Sequence, residues 1–220
     1  MPILNMIYWA TWGGGWGWQP WANTIWYWKL EENTNATVWT TTSSNNVTFT
    51  TLASWKKVAV FDGSSSRIVI PALPTWTNNT YLARVNKTGN WTWEMQAIVL
   101  CWWSWKKGVA LRTNTSPRWC MSSQFNAWTN LTWATSNNTW YFVAIVQNSS
   151  WSIYYLNWSQ ASTSSVTWAN SNTWSAIWSN SGAQDYFKWY ISEVIVENKA
   201  WTDQEVSDYY NQTKWDYWIS

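Results

Sequence analysis

Two consecutive runs leave this chain few folds to adopt: WYFVAIVQ at 140–147 and, after Asn148-Ser149-Ser150-Trp151, SIYYLNWS at 152–159. The first run is apolar almost throughout and the second is Tyr-rich, so both read as strands of one hairpin with a buried face, joined by a polar turn. Short β-like runs recur before and after it, at 24–30, 47–50, 57–70, 81–87, 175–177 and 185–196. A meander over 94–101, 109–113 and 118–123 adds three more. In the last of the long runs, strict alternation would put Tyr190, Ser192, Val194 and Val196 on one face and Ile191, Glu193 and Ile195 on the other. The period changes only at the end. Thr202-Asp203-Gln204-Glu205 is a capping box, and Val206, Tyr209 and Tyr210 at i, i+3, i+4 give the following helix an apolar side.

The turns between these runs hold a contradiction. The chain has 28 Trp and 8 Gly in 220 residues, where average usage would supply roughly 15 Gly. Trp stands where Asn-Gly or Ser-Gly turns belong, at Trp91, Trp93, Trp151, Trp158, Trp174 and Trp215. A left-handed backbone costs a residue with a Cβ roughly 1–2 kcal/mol, so roughly a dozen such sites would exceed the about 5–15 kcal/mol that stabilises a domain. One explanation covers nearly all of it: UGA codons that specify glycine have been translated as tryptophan. Trp12 to Trp18 then becomes an uninterrupted glycine tract, and genuine indoles remain at Trp140, Trp76 and Trp201. The alternative is a truly Trp-rich protein that displays indoles for stacking on sugars.

With glycine read at 151 and 158, the hairpin becomes WYFVAIVQNSSGSIYYLNGSQ and closely resembles the central hairpin of laminin-G-like, concanavalin A-like jelly-roll domains. Further segments resemble the same family: YWKL at 27–30 its opening strand, and Phe61-Asp62-Gly63 with the strand closing on Pro71 its polar turn. Residues 81–87 fit a strand in which Arg84 stands where an aromatic is commoner. Residues 186–196 fit its late strand with Trp189 at a glycine, and the capped helix fits its C-terminal helix. The resemblance runs from about 24 to 213. It implies an all-β, antiparallel two-sheet jelly-roll sandwich (concanavalin A-like) with one short C-terminal helix. The expected organisation is an apolar head and Gly-rich linker over 1–22, and one domain over 23–220.

A formal net charge of +2 with 11% charged residues offers no basic stripe, so nucleic acid is not an expected partner. The absence of His removes Ser-His and Cys-His nucleophile pairs and the commonest zinc ligand. In the meander, Cys101 and Cys120 fall on strands about 9.6 Å apart, beyond the about 7 Å that a disulfide spans. Free thiols are expected, with a strand-end disulfide as the alternative. The N-terminal apolar segment lacks a basic region and is too short to span a bilayer. It reads as a docking peptide on a flexible leash, consistent with an extracellular, cell-surface or virion location and a larger assembly joined through 1–22.

Glycosidases among jelly-roll relatives carry a Glu-x-Asp-x-x-Glu strand whose carboxylates act as a pair. No such spacing occurs here. Glu31 and Glu32 are adjacent and point to opposite faces, Glu94, Glu193 and Glu197 are isolated, and Asp203, Glu205 and Asp208 belong to the helix. A non-catalytic carbohydrate- or surface-binding module is therefore expected, with a structural adhesion module of a phage tail fibre as the alternative. Lectin-like jelly rolls hold ligands on the concave sheet or at rim loops, aromatic faces stacking on sugars and Asn or Asp fixing hydroxyls. The candidate ligand-binding residues are Asn137, Asn138, Asn180, Asp185 and Tyr186. No cofactor is required, and for rim calcium Asp62 and Asp185 are the only distant candidates. For Asp62 the turn role is favoured over the cation.

Overall fold

The computed structural model describes residues 24–31, 33, 43–70, 77–87, 95–102, 107–112, 118–122, 129–134, 136–165, 174–177 and 188–217; the expected head and linker at 1–22 lie outside that set. The described residues form two antiparallel sheets and one helix. The larger sheet has the order β13 (Ser159–Ser164), β12 (Ser152–Leu156), β11 (Trp140–Gln147), β6 (Asn79–Lys87), β15 (Lys188–Glu197), β4 (Lys57–Asp62), β3 (Thr48–Thr51), and β1 (Thr24–Trp28) also pairs with β15. The second runs β10 (Thr129–Ala134), β9 (Arg118–Ser122), β8 (Lys107–Arg112), β7 (Met95–Trp102), β14 (Trp174–Ile177), β5 (Arg67–Ile70), β2 (Ser43–Asn45). Helix α1 (Asp203–Thr213) runs into a 3-10 turn, Lys214–Asp216. The all-β sandwich with a short C-terminal helix is as the sequence leads one to expect. Cys101 on β7 and Cys120 on β9 have β8 between their strands.

The larger sheet is covered on both faces. Tyr81, Ala83 and Val85 of β6, with Tyr141, Val143 and Ile145 of β11, pack toward Ile68 of the second sheet. Their neighbours Leu82, Phe142, Ala144 and Val146 pack with Trp201, Val206 and Tyr209 of the helical segment. This double burial is why β11 can be apolar along nearly its whole length: alternation is unnecessary where neither face meets water. The β11–β12 hairpin is as expected, with Val143 opposite Leu156 and Gln147 opposite Ser152.

The strict alternation expected for β15 is corrected. Ile191 shares the inter-sheet core with Val194 and Val196, while Ile195 faces the helix. Against β6, Val85 pairs with Ile191 and Arg84 with Glu193, so Ser192 is the extra residue of a β-bulge. A bulge reverses the side-chain phase beyond it.

The chain between β15 and α1 is fastened by polar contacts. Thr80 Oγ1 donates to Lys199 O at 2.7 Å and accepts from Trp201 N at 3.0 Å. Glu197 accepts from Thr24 Oγ1 at 2.6 Å and from Trp201 Nε1. The capping box forms as expected: Glu205 N donates to Thr202 Oγ1 at 3.2 Å, and Thr202 N donates back to the Glu205 carboxylate at 2.8 Å.

The backbone separates the tryptophans into groups. Trp28 is fully buried and Trp201 nearly so. Trp151, Trp158 and Trp215 are 51%, 60% and 67% exposed, yet none of them has a positive φ. The left-handed requirement expected at these three positions is therefore not met. In the β12–β13 turn it falls on Asn157 (φ 56°). At 148–151 the Asn148 side chain builds the turn, accepting from Ser150 N and Trp151 N at 2.8 Å each. Trp215 sits in the 3-10 turn. Trp174 lies in a strand, and Trp91 and Trp93 lie outside the described residues.

Trp55, by contrast, has φ 65° and is 87% exposed. Its N–H donates to Leu52 O at 2.9 Å, and Leu52 N donates to Lys56 O at 2.8 Å, closing the β3–β4 hairpin on a left-handed position of the kind glycine fills. Trp55→Gly is expected to raise stability by about 1 kcal/mol, because the relief of left-handed strain exceeds the added chain entropy. Urea midpoints of the two proteins measure it; an unchanged or lower midpoint contradicts the expectation.

Candidate functional site

The site grows out of the middle of the larger sheet. β6 lies between β11 and β15, and its residues 82, 84 and 86 point toward the helix. Register sets Arg84 opposite Phe142 on one side and, because of the bulge at Ser192, opposite Glu193 on the other. Arg84 Nε donates to Glu193 Oε1 at 2.7 Å, with both side chains about 95% buried. Arg84 Nη2 donates to Thr213 Oγ1, whose own proton goes to Tyr209 O at 2.7 Å. The guanidinium lies 5.0–5.7 Å from the ring centres of Phe142, Tyr209, Tyr210 and Tyr217, a distance at which a ring face attracts a cation.

Burial works against the charge on Arg84, but the Glu193 carboxylate more than restores it, so the guanidinium titrates above its ordinary value. Burial is also the main reason that the hydroxyls of Tyr209 and Tyr217 are pushed well up, with Glu193 adding to it. Both phenols therefore stay neutral around one buried ion pair.

A narrow cleft of about 20 Å³ opens beside this pair, lined by Arg84, Asn157, Lys214 and by the rings of Trp140, Tyr141, Phe142, Tyr210 and Tyr217. That volume admits little more than one water-sized group. Trp140 packs against Tyr217 with ring centres 5.1 Å apart. Asn157 Oδ1 accepts from Phe142 N at 3.2 Å, which orients its amide so that Nδ2 remains as a donor. Lys214 Nζ donates to Asn211 Oδ1 at 2.9 Å and stands 5.0 Å from the Trp215 ring centre. Trp140, Asn157, Tyr210 and Lys214 are all half-buried and form the mouth.

The expected site residues fall in several places. Asn137 and Asn138 are exposed in the β10–β11 loop, with Asn138 left-handed at φ 58°. They do not line the cleft, but their loop is anchored to its wall, since Ser136 N donates to Tyr141 OH at 2.7 Å. Asn180, Asp185 and Tyr186 lie outside the described residues. Asp62 is a turn residue: its carboxylate accepts from Ser64 N, Ser65 N and Ser66 N at 2.8–2.9 Å and from Ser65 Oγ at 2.6 Å. Gly63, at φ 76°, is required there, because a Cβ would come within 2.6 Å of Lys188 Cβ. Among the described residues no cluster of three or more His, Cys, Asp or Glu side chains gathers.

Burial alone would raise the Asp62 pKa, but the four donors from Ser64, Ser65 and Ser66 outweigh it and hold the carboxyl below its ordinary 3.8. A depressed folded-state pKa contributes stability above pH 3.8 that disappears as pH falls through the folded value. Asp62→Ala is therefore expected to be less stable than the parent at pH 7, with the gap narrowing below pH 3.8. Thermal melts between pH 7 and pH 2 measure this; a pH-independent gap contradicts it.

Sequence reasoning missed Glu193, Asn157, Tyr210, Lys214 and Tyr217 as site residues and saw in Arg84 only an oddity. The available signal was one arginine and one glutamate, each inside an otherwise apolar strand run, which can be buried together only if they meet.

The fold and its cleft define a β-sandwich domain with a C-terminal helix laid on its larger sheet. Compared with known protein families and with characterised sequences, the chain matches none. Compared with solved structures, it is similar to domain 4 of AbnA, an extracellular arabinanase from Geobacillus stearothermophilus solved with arabinotriose (TM-score 0.65, 14% identity, covering 85% of this chain and 98% of that one). It is also similar to the binding domain of Paraclostridial Mosquitocidal Protein 1 (TM-score 0.65, 13% identity, 86% and 52%) and to the binding domain of Botulinum Neurotoxin DC in complex with SialylT (TM-score 0.62, 13% identity, 86% and 51%). The chain thus spans nearly all of the arabinanase domain and about half of each toxin domain. At these identities the likeness is one of fold.

Proposed function

We propose that this chain is a non-catalytic, laminin-G-like module that binds glycans at an outer surface, cellular or viral, with the cleft beside the end of α1 as its recognition site. The observation that carries the reading is the cleft itself: aromatic rings and hydrogen-bond donors converge on the helix-bearing face of the larger sheet, a combination suited to sugar C–H faces and hydroxyls. None of Arg84, Asn157, Tyr210, Lys214 and Tyr217 depends on how UGA is read, and the Trp140 position, expected to be a true indole, packs against Tyr217. Two of the similar folds, the arabinanase domain and the DC toxin domain, were solved with sugars, which supports the same class of ligand. No helix among the described residues is long and apolar enough to cross a membrane. Residues 1–22 would join the domain to a larger assembly.

A glycan array probed with the full chain tests the proposal. Binding to a defined set of glycans that is lost in Tyr210→Ala supports it. Uniform silence, together with self-assembly or retention on particles after 1–21 is deleted, would favour a structural adhesion role instead.

A further inference from the structure

The cleft is unusual in what its polar groups can offer. Arg84 has Nε committed to Glu193 and Nη2 to Thr213, which leaves Nη1. Asn157 has its oxygen committed to Phe142 N, which leaves Nδ2. Lys214 uses one bond to Asn211, and an ammonium has three donors. No carboxylate lines the space; beside the tyrosine hydroxyls, its polar side chains are Asn157 and the two cations Arg84 and Lys214. A lining that presents donors and positive charge is matched by a group that only accepts and carries negative charge.

The volume narrows the choice further. At about 20 Å³ the cleft cannot take a sugar ring, but one carboxylate oxygen is of water size. Trp140 and Tyr210, half-buried at the mouth, are the aromatic side chains nearest the ring that would carry it.

We propose that the cleft receives the carboxylate of an acidic sugar, a uronic or sialic acid residue, with Lys214 supplying the charge that Glu193 does not already compensate, and Arg84 Nη1 and Asn157 Nδ2 supplying donors. The inference rests on the glycan-binding reading above and adds the ligand's charge. Replacing Arg84 alone would leave the buried Glu193 carboxylate without its partner, so Lys214 is the group to vary singly. Its side chain is half-buried at the helix end, and its replacement leaves the core intact.

The test is calorimetric titration of the full chain with two matched pairs, trigalacturonate against its methyl ester and 3′-sialyllactose against lactose, at low and at moderate salt. The expected result is at least tenfold tighter binding of one acidic member than of its neutral partner. That preference should weaken with salt and fall severalfold in Lys214→Gln, whose melting temperature stays near that of the parent. Equal binding of acidic and neutral members overturns this inference and leaves the glycan reading standing. Acidic binding that is unchanged in both Lys214→Gln and Tyr210→Ala also overturns it, because the ligand then sits elsewhere. Silence toward all four probes overturns it too, and the array then decides whether the glycan reading survives.

Discussion

Glu193→Leu is expected to lower stability by about 3–5 kcal/mol, because it leaves the Arg84 guanidinium charged, buried and without its counter-ion. For a domain of this length that corresponds to a fall of about 6–20 °C in melting temperature. The pair is nonetheless replaceable as a pair. Arg84→Met combined with Glu193→Leu removes both charges and fills similar volume, so the double variant is expected to regain most of the lost stability. Calorimetry on the parent, the single variant and the double variant completes the comparison. A loss below about 1 kcal/mol in Glu193→Leu would mean that water reaches the pair. The double variant has a second use: it keeps the fold while removing a cation from the cleft, so it separates what Arg84 does for stability from what it does for recognition.

The second large effect is expected at Trp28. It is fully buried between the sheets, beside Phe61, Val194 and Val196 in the same core. Trp28→Ala is expected to cost about 3–5 kcal/mol, the transfer loss plus a cavity the strands cannot close. Trp151→Gly is expected to change stability by less than about 1 kcal/mol, since its side chain is 51% exposed. The contrast states which indoles the fold requires. If glycine stands at the exposed turn positions in the natural protein, its intact mass falls below the 25.9 kDa of the sequence as written. A mass of 25.9 kDa would establish every indole as real.

Much of the fold was legible because burial and turn chemistry leave local marks. The apolar run of β11, the Asp62-Gly63 turn and the Thr202–Glu205 capping box each identify themselves within a few residues. β10, β13 and β2 did not, since sequences such as Ser43-Ser44-Asn45 carry no alternation and are held by their partners. The phase of β15 was misread for a related reason: a bulge at Ser192 has no composition signature and is set by pairing with β6. The site was harder still. Arg84 and Glu193 lie 109 positions apart and look like isolated exceptions until three strands are placed side by side. The turn tryptophans were half legible, since their exposure agrees with an unneeded side chain while the left-handed backbone appears at Trp55, a position not singled out from the sequence.

Whether the cleft beside α1 is where this module meets its ligand can be measured most directly by hydrogen–deuterium exchange on the full chain, with and without the glycan selected by the array. New protection is expected in segments 136–142, 156–159 and 209–217, with the rest of the sandwich unchanged. Protection confined to other segments, or none at a saturating glycan concentration, would contradict it.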